Sequence, residues 1–227
     1  MLTDLSTNFI SISVVAVYLT ILLFIAEIFS RYQKIDAELS RKIVHIGTGN
    51  VILLAWWLNI PASIIILASI VAGLVAIASY FLPILSSING VGRKSLGTLF
   101  YAISIGILTA LFWQSGQQQY TAIGILIMSY GDGMAALIGK KWGKNPYQLW
   151  GNKKSWEGSL TMTLVSILVG IFIFTFTSDW QWQNLIIIVI VGVFATILET
   201  ISYIGIDNLT VPVGSGIMTY YLQLMLK

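Results

Sequence analysis

Eight stretches of this chain are continuously apolar and are long enough, or nearly long enough, to cross a bilayer. They cover residues 9–29, 44–60, 63–85, 96–113, 122–138, 160–176, 185–203 and the short run between Pro212 and 226. None alternates apolar with polar residues, so they are helices and not the strands of a membrane barrel. Only 9% of the residues are charged, against about 25% in a soluble domain. The expected fold is all-α: a polytopic membrane bundle of about seven or eight helices, forming one domain over residues 1–227.

The polar residues left over are placed with a clear asymmetry. Arg31, Lys34, Arg41 and Lys42 separate the first two runs. Arg93 and Lys94 separate the third and fourth, and Lys140, Lys141, Lys144, Lys153 and Lys154 the fifth and sixth. That accounts for eleven of the twelve basic residues, and the intervening loops carry none. The positive-inside rule then places the N-terminus outside and every odd-numbered loop in the cytoplasm. Trp56, Trp57, Trp113, Trp180 and Trp182 fall at the opposite face, where an aromatic belt is expected. The opening MLTDLSTN has no basic residue, which speaks against a cleaved signal and against an arginine-rich transit peptide. Cysteine is absent, so no disulfide or thiolate metal site is available. The small net charge of +3 suits anionic lipid headgroups or an anionic substrate, and not nucleic acid.

The segment from Ser129 to Ser159 breaks the apolar pattern most strongly, with two acids, five lysines and several glycines. Asp132 lies six residues inside the fifth run, about 9 Å below the surface, a depth at which an ionisable side chain is costly and functional. If instead the run ends early, Asp132 caps it at the surface. Gly131 and Gly133 allow backbone or ligand to come close to it. Gly139, Gly143, Lys144, Lys153, Lys154, Ser155 and Glu157 together offer cations, exposed N–H groups and a carboxylate, the requirements of a nucleoside triphosphate with Mg²⁺. The lysines also fit a positive-inside loop that touches only lipid phosphate, and for Lys140 and Lys141, in the same segment, that reading is at least equal to a functional one. Ser155 and Glu157 equally suit the N-cap and first turn of the sixth helix. The spacing is not that of a Walker A loop.

Arg41, Lys42 and His45 open the second helix on neighbouring faces, where phosphate contact competes with a purely structural role for the histidine. Glu199 is buried in the seventh run and shares a helical face with Thr196 and Tyr203. Asp207 and Asn208 follow, read either as part of the site or as a turn before Pro212, which can begin the last helix. All of these positions land on one membrane face. Their chemistry suits phosphoryl or nucleotidyl transfer, with the protein positioning groups and neutralising charge.

Three motifs carry a resemblance. GDGMAALIGKKWGK with NKKSWEGS resembles the core motif of the polyprenol kinase and phosphatidate cytidylyltransferase superfamily. RKIVH at 41–45 is similar to the Arg-Lys-x-x-His signature of phytol, farnesol and dolichol kinases. ETISYIGIDNLTVP is similar to the C-terminal signature of the same kinases, and the histidine-bearing C-terminal signature of the cytidylyltransferases is missing. The chain is as short as the family's minimal core and looks most like the phytol kinases of photosynthetic organisms.

The resemblance implies CTP, or else UTP, as phosphoryl donor, a prenyl alcohol as acceptor, and Mg²⁺. It implies Asp132, Glu157 and Lys154 as catalytic residues, and Asp132, Glu157 and Asp207 at the metal, with Glu199 as a further candidate. Arg41, Lys42, His45, Lys144, Lys153, Ser155 and Asn208 would hold nucleotide and phosphate. The expected product is phytyl phosphate, made at the cytoplasmic face of a bacterial inner or thylakoid membrane. Alternatives are a kinase for farnesol, geranylgeraniol, dolichol or diacylglycerol, a phosphatidate cytidylyltransferase, or, in a different class, a small transporter or lipid-binding scaffold.

Overall fold

A computed structural model of the chain describes residues 2–31, 37–81, 96–149, 152–177 and 181–226. Apart from one two-stranded hairpin, its elements are helices: α1 (Leu2–Arg31), α2 (Ala37–Gly49), α3 (Val51–Trp57), α4 (Ala62–Phe81), α5 (Gly97–Trp113), α6 (Gln118–Trp142), α7 (Trp156–Thr177), α8 (Trp182–Ile201) and α9 (Asp207–Leu226). Over the described residues, each of the eight apolar runs is thus mainly helical. Five helices are long and apolar enough to cross a membrane: α1, α4, α6, α7 and α8. α5 is apolar but shorter.

α6 is the hub. Every residue from Tyr120 to Ser129 is buried, and α2, α5, α7 and α9 all pack on it. The approach is close because glycine faces each neighbour. A methyl group at Gly124 would lie 2.3 Å from the Pro212 carbonyl oxygen of α9, one at Gly131 2.5 Å from Met162 Sδ of α7, and one at Gly133 2.5 Å from Ile46 of α2. Small residues are the usual device for bringing helices together in lipid, where burial of apolar surface gives no net drive. α1 and α4 are the opposite case. They carry exposed Phe9, Val17, Phe24, Leu67, Ile70 and Leu74 and face outward.

Four expectations need correction. The second apolar run is not one helix: it begins earlier, at Ala37, and breaks at Asn50 into α2 and α3. The last helix begins at Asp207, so Pro212 lies inside it and leaves the Asn208 carbonyl without its helical N–H donor. Tyr203 lies beyond the end of α8 and does not extend the Thr196–Glu199 face. Trp113 is 6% exposed and donates Nε1–H to the Ile60 carbonyl at 2.9 Å, so it is a core residue and not part of a belt. Trp57 and Trp182 are exposed as a belt requires. Trp180, Lys34, Arg93 and Lys94 lie outside the described residues.

The hairpin is an addition to the expected pattern. β1 (Pro146–Leu149) pairs antiparallel with β2 (Asn152–Ser155), with Tyr147 opposite Lys154 and Gln148 opposite Lys153. It sits between α6 and α7, whose ends it joins. Its base is closed by Trp156 N–H, which donates to the Asn145 carbonyl at 3.1 Å.

Candidate active site

α6 is not a regular helix where it passes through the site. Residues Ile127–Asp132 form a π turn, and the α-helix resumes at Gly133. π turns of this kind concentrate at functional sites because the extra residue re-aims the side chains beside it. Asp132 closes the turn, ten residues before the end of α6 at Trp142. The helix does not end early, so Asp132 is no surface cap.

Lys42 and His45 of α2 meet it. Lys42 Nζ lies 2.6 Å from Asp132 Oδ2 with both side chains largely buried, and His45 Nε2 lies 3.6 Å from the same oxygen. The imidazole also packs on the Tyr101 ring of α5, centroids 5.1 Å apart. Tyr101 Oη shares a 2.7 Å hydrogen bond with Ser129 Oγ in the π turn. Arg41 belongs to α2, but its side chain lies outside the described residues.

A second pair joins the hairpin to α8. Lys154 Nζ lies 2.5 Å from Glu199 Oε1 and also donates to the Glu199 carbonyl oxygen. The Lys154 side chain is carried there by β2, and Tyr147 on the opposite strand bonds Ser159 Oγ at 2.5 Å and Thr200 Oγ1 at 3.3 Å. The hairpin is therefore docked on α7 and α8.

Asp207, first residue of α9, lies within the field of both pairs. Burial pushes its carboxyl above the ordinary carboxylate range, the Asp132 carboxylate adds to that, and Lys154 and Lys42 pull the other way. Asn208 stays beside it, its Nδ2 donating to Asp207 Oδ1 at 3.3 Å and to the Gly205 carbonyl at 3.2 Å. Three carboxylates and two ammonium groups, drawn from α2, α6, β2, α8 and α9, thus share one partly buried region.

The other sequence candidates lie elsewhere. Glu157 is tied to the base of the hairpin, its Oε1 accepting from Asn145 N at 3.2 Å and from Asn145 Nδ2 at 2.8 Å. Lys144 and Lys153 are exposed, and Lys141 Nζ rests over the Trp142 ring, 4.6 Å from its centroid. Ser155 Oγ accepts from Gly158 N at 3.1 Å and caps α7.

The glycines of the motif surround that cap. A methyl at Gly143 would lie 2.8 Å from Ser155 Oγ, and one at Gly158 3.0 Å from the Ala135 carbonyl oxygen. Their smallness seats α6, the hairpin and α7 on one another. Sequence reasoning missed Tyr101, Ser129 and Tyr130, because hydroxyls inside apolar runs look like routine helix positions. Ser129 and Tyr130 stand three and two residues before Asp132, a signal the sequence does carry, whereas nothing in the sequence ties Tyr101 to it.

No protein-family model matches the chain, and no solved structure matches it. Among curated proteins, the phytol kinase of Synechocystis sp. is 46% identical over 211 residues, covering 93% of this chain and 91% of its own length. Phytol kinase 1 (chloroplastic) of Arabidopsis thaliana is 26% identical over 218 residues, 86% of this chain and 69% of its own. The chloroplastic farnesol kinase of the same plant is 32% identical over 150 residues, 59% of this chain and 46% of its own.

Proposed function

The chain belongs to the phytol kinase family, and on that premise we infer that it phosphorylates the hydroxyl of phytol, giving phytyl phosphate, with CTP as donor. One observation of the molecule carries the reading: two largely buried ion pairs, Lys42–Asp132 and Lys154–Glu199, with the Asp207 carboxyl in the field of both. Buried charges drawn from distant segments are costly to gather in a membrane protein, and a charged substrate gives them a purpose.

Lys42 and Lys154 are the groups for the phosphates, each now satisfied by a carboxylate that a triphosphate would replace or share. Arg41 stands one residue from Lys42 on α2 and suits the same task. Asp132 and Asp207, two carboxylates within each other's field, suit an ion bound jointly by protein and nucleotide, the usual mode for Mg²⁺. Among the described residues, no group of three His, Asp or Glu side chains is arranged to hold a metal ion by itself. Mg²⁺, when bound, supplies charge neutralisation across the transferring phosphoryl group. His45 and Asp132 are placed to orient the acceptor hydroxyl, and a loose transition state asks no strong base of them.

The acceptor's tail would lie in the bilayer beside the helices, with its hydroxyl at the membrane face that carries the hairpin. By the distribution of basic loops that face is cytoplasmic.

The test is incubation of the full chain in lipid nanodiscs with γ-labelled CTP, UTP or ATP and a panel of prenols, diacylglycerol and phosphatidate. Label in phytol together with release of CDP is the expected result. Release of pyrophosphate would mean cytidylyl transfer. No transfer to any lipid would remove the enzyme reading.

A further inference from the structure

We propose that Tyr130, Asn50 and Tyr18 are positioning residues that hold the Lys42–His45 end of α2 in register with Asp132. The proposal rests on the kinase reading above, and it concerns residues that contact neither Lys42 nor Asp132 in the pairs described.

Tyr130 lies in the π turn, two residues before Asp132. Its hydroxyl donates to Asn50 Oδ1 at 2.8 Å. Asn50 is the residue at which α2 gives way to α3. Its Nδ2 donates to Tyr18 Oη at 3.4 Å, and the Tyr18 hydroxyl donates to the Gly47 carbonyl oxygen at 2.8 Å. The chain of bonds therefore runs from the π turn, through the helix break, to α1 and back to α2, two residues beyond His45. The Gly47 carbonyl is also the acceptor for Asn50 N–H at 3.2 Å, so the same oxygen anchors both the break and Tyr18.

Close packing brings these groups together. A methyl at Gly49 would lie 2.3 Å from Ser129 Oγ, and one at Gly47 2.4 Å from the Leu22 side chain of α1. α2 is thus pressed between α1 and the π turn, and what remains to be fixed is its position along its own axis. Apolar contacts slide, whereas a hydrogen-bonded amide at one point sets register. Lys42 and His45 follow α2 rigidly, so this one point determines where they stand relative to Asp132. It also gives α1 a polar tie to the site through Tyr18, although only 11% of the α1 span is buried.

The test uses the full chain in nanodiscs, with kcat and KM for donor and for phytol measured beside the unfolding midpoint. Tyr130→Phe and Asn50→Leu are each expected to lower kcat about tenfold, as loss of an outer partner does at a preorganised site, while both KM values move much less. Asn50→Asp is expected to recover part of kcat, because a carboxylate still accepts from the Tyr130 hydroxyl although it no longer donates to Tyr18. Tyr130→Phe placed on Lys42→Arg is expected to cost less than it does alone, since both changes act on the same geometry.

Trp113→Phe is the control. It deletes a buried hydrogen bond at another part of the bundle, and at an equal fall in midpoint it should leave kcat higher than Tyr130→Phe does. The proposal is overturned if kcat is unmoved in Tyr130→Phe and Asn50→Leu, if it tracks the midpoint alone across all three sites, or if the double variant is fully multiplicative. A wild-type chain that phosphorylates no prenol would overturn the kinase reading and this proposal with it. An active wild type with unaffected variants would overturn the proposal alone.

Discussion

Two regions of this molecule concentrate charge, and they are built on opposite principles. In the first, Lys42 with Asp132 and Lys154 with Glu199 are buried, paired within hydrogen-bond distance and drawn from segments far apart in sequence. In the second, Lys141, Lys144 and Lys153 stand close together along the chain, exposed around the hairpin, with Lys141 resting on Trp142. Density of charge in the sequence marks the second region. Cost of charge in the structure marks the first, because only buried ions demand compensation. The hairpin connects them: one strand carries Lys154 inward while its neighbour Lys153 stays in solvent.

The largest effect expected from this contrast is at Asp132. Asp132→Asn leaves Lys42 buried without its counter-charge and removes a carboxylate from the site, so kcat should fall about 10³-fold, about 4 kcal/mol of transition-state stabilisation. Steady-state kinetics with labelled CTP and phytol would show it, and near wild-type turnover would mean that the buried region is structural. Glu199→Gln should cost about 3 kcal/mol of stability, because it strands the Lys154 ammonium, and a thermal melt in detergent reads that. Gly158→Ala should cost about 1–2 kcal/mol through overpacking against the Ala135 carbonyl, with activity per folded molecule largely retained. Loss of activity without loss of stability would return that glycine to the substrate site. Lys144→Ala and Lys153→Ala should change activity by less than about fivefold, the most an exposed cation contributes. A larger loss with unchanged stability would erase the distinction between the two regions.

Much of this architecture is legible in the sequence because lipid leaves few options. Continuous apolar runs must be helices, and over their described residues the eight are mainly helical, the second as two helices. Asp132 and Glu199 announce themselves as acids inside such runs. What escapes is everything that depends on which helix touches which. Glu157 and Asp132 are both acids of one motif, yet Glu157 turns to Asn145 at the hairpin base while Asp132 meets Lys42, ninety residues away in the chain. The glycines of the same motif allow close approach of either backbone or ligand, and Gly131, Gly133, Gly143 and Gly158 prove to make room for neighbouring helices and the hairpin. Both uses need the same residue for the same reason, absence of a side chain, and composition does not separate them. Pro212 misleads likewise: a proline that often begins a helix here lies within one, against Gly124.

The π turn at Ile127–Asp132 also makes chain length a functional variable. A π turn amounts to one residue more than an α-helix needs for the same rise. Deleting a single residue between Ile127 and Tyr130 would let α6 close as a regular helix with the segments on either side kept in nearly the same register, so that the change is confined to the side chains of the turn itself. Gly133, where the α-helix resumes, would still face Ile46, whereas Asp132, which closes the turn, would lose the geometry that aims it at Lys42, while hydropathy and helix content stayed almost unchanged. In this part of α6 one residue of chain length therefore sets the aim of the acid and leaves the packing of the rest of the helix in place.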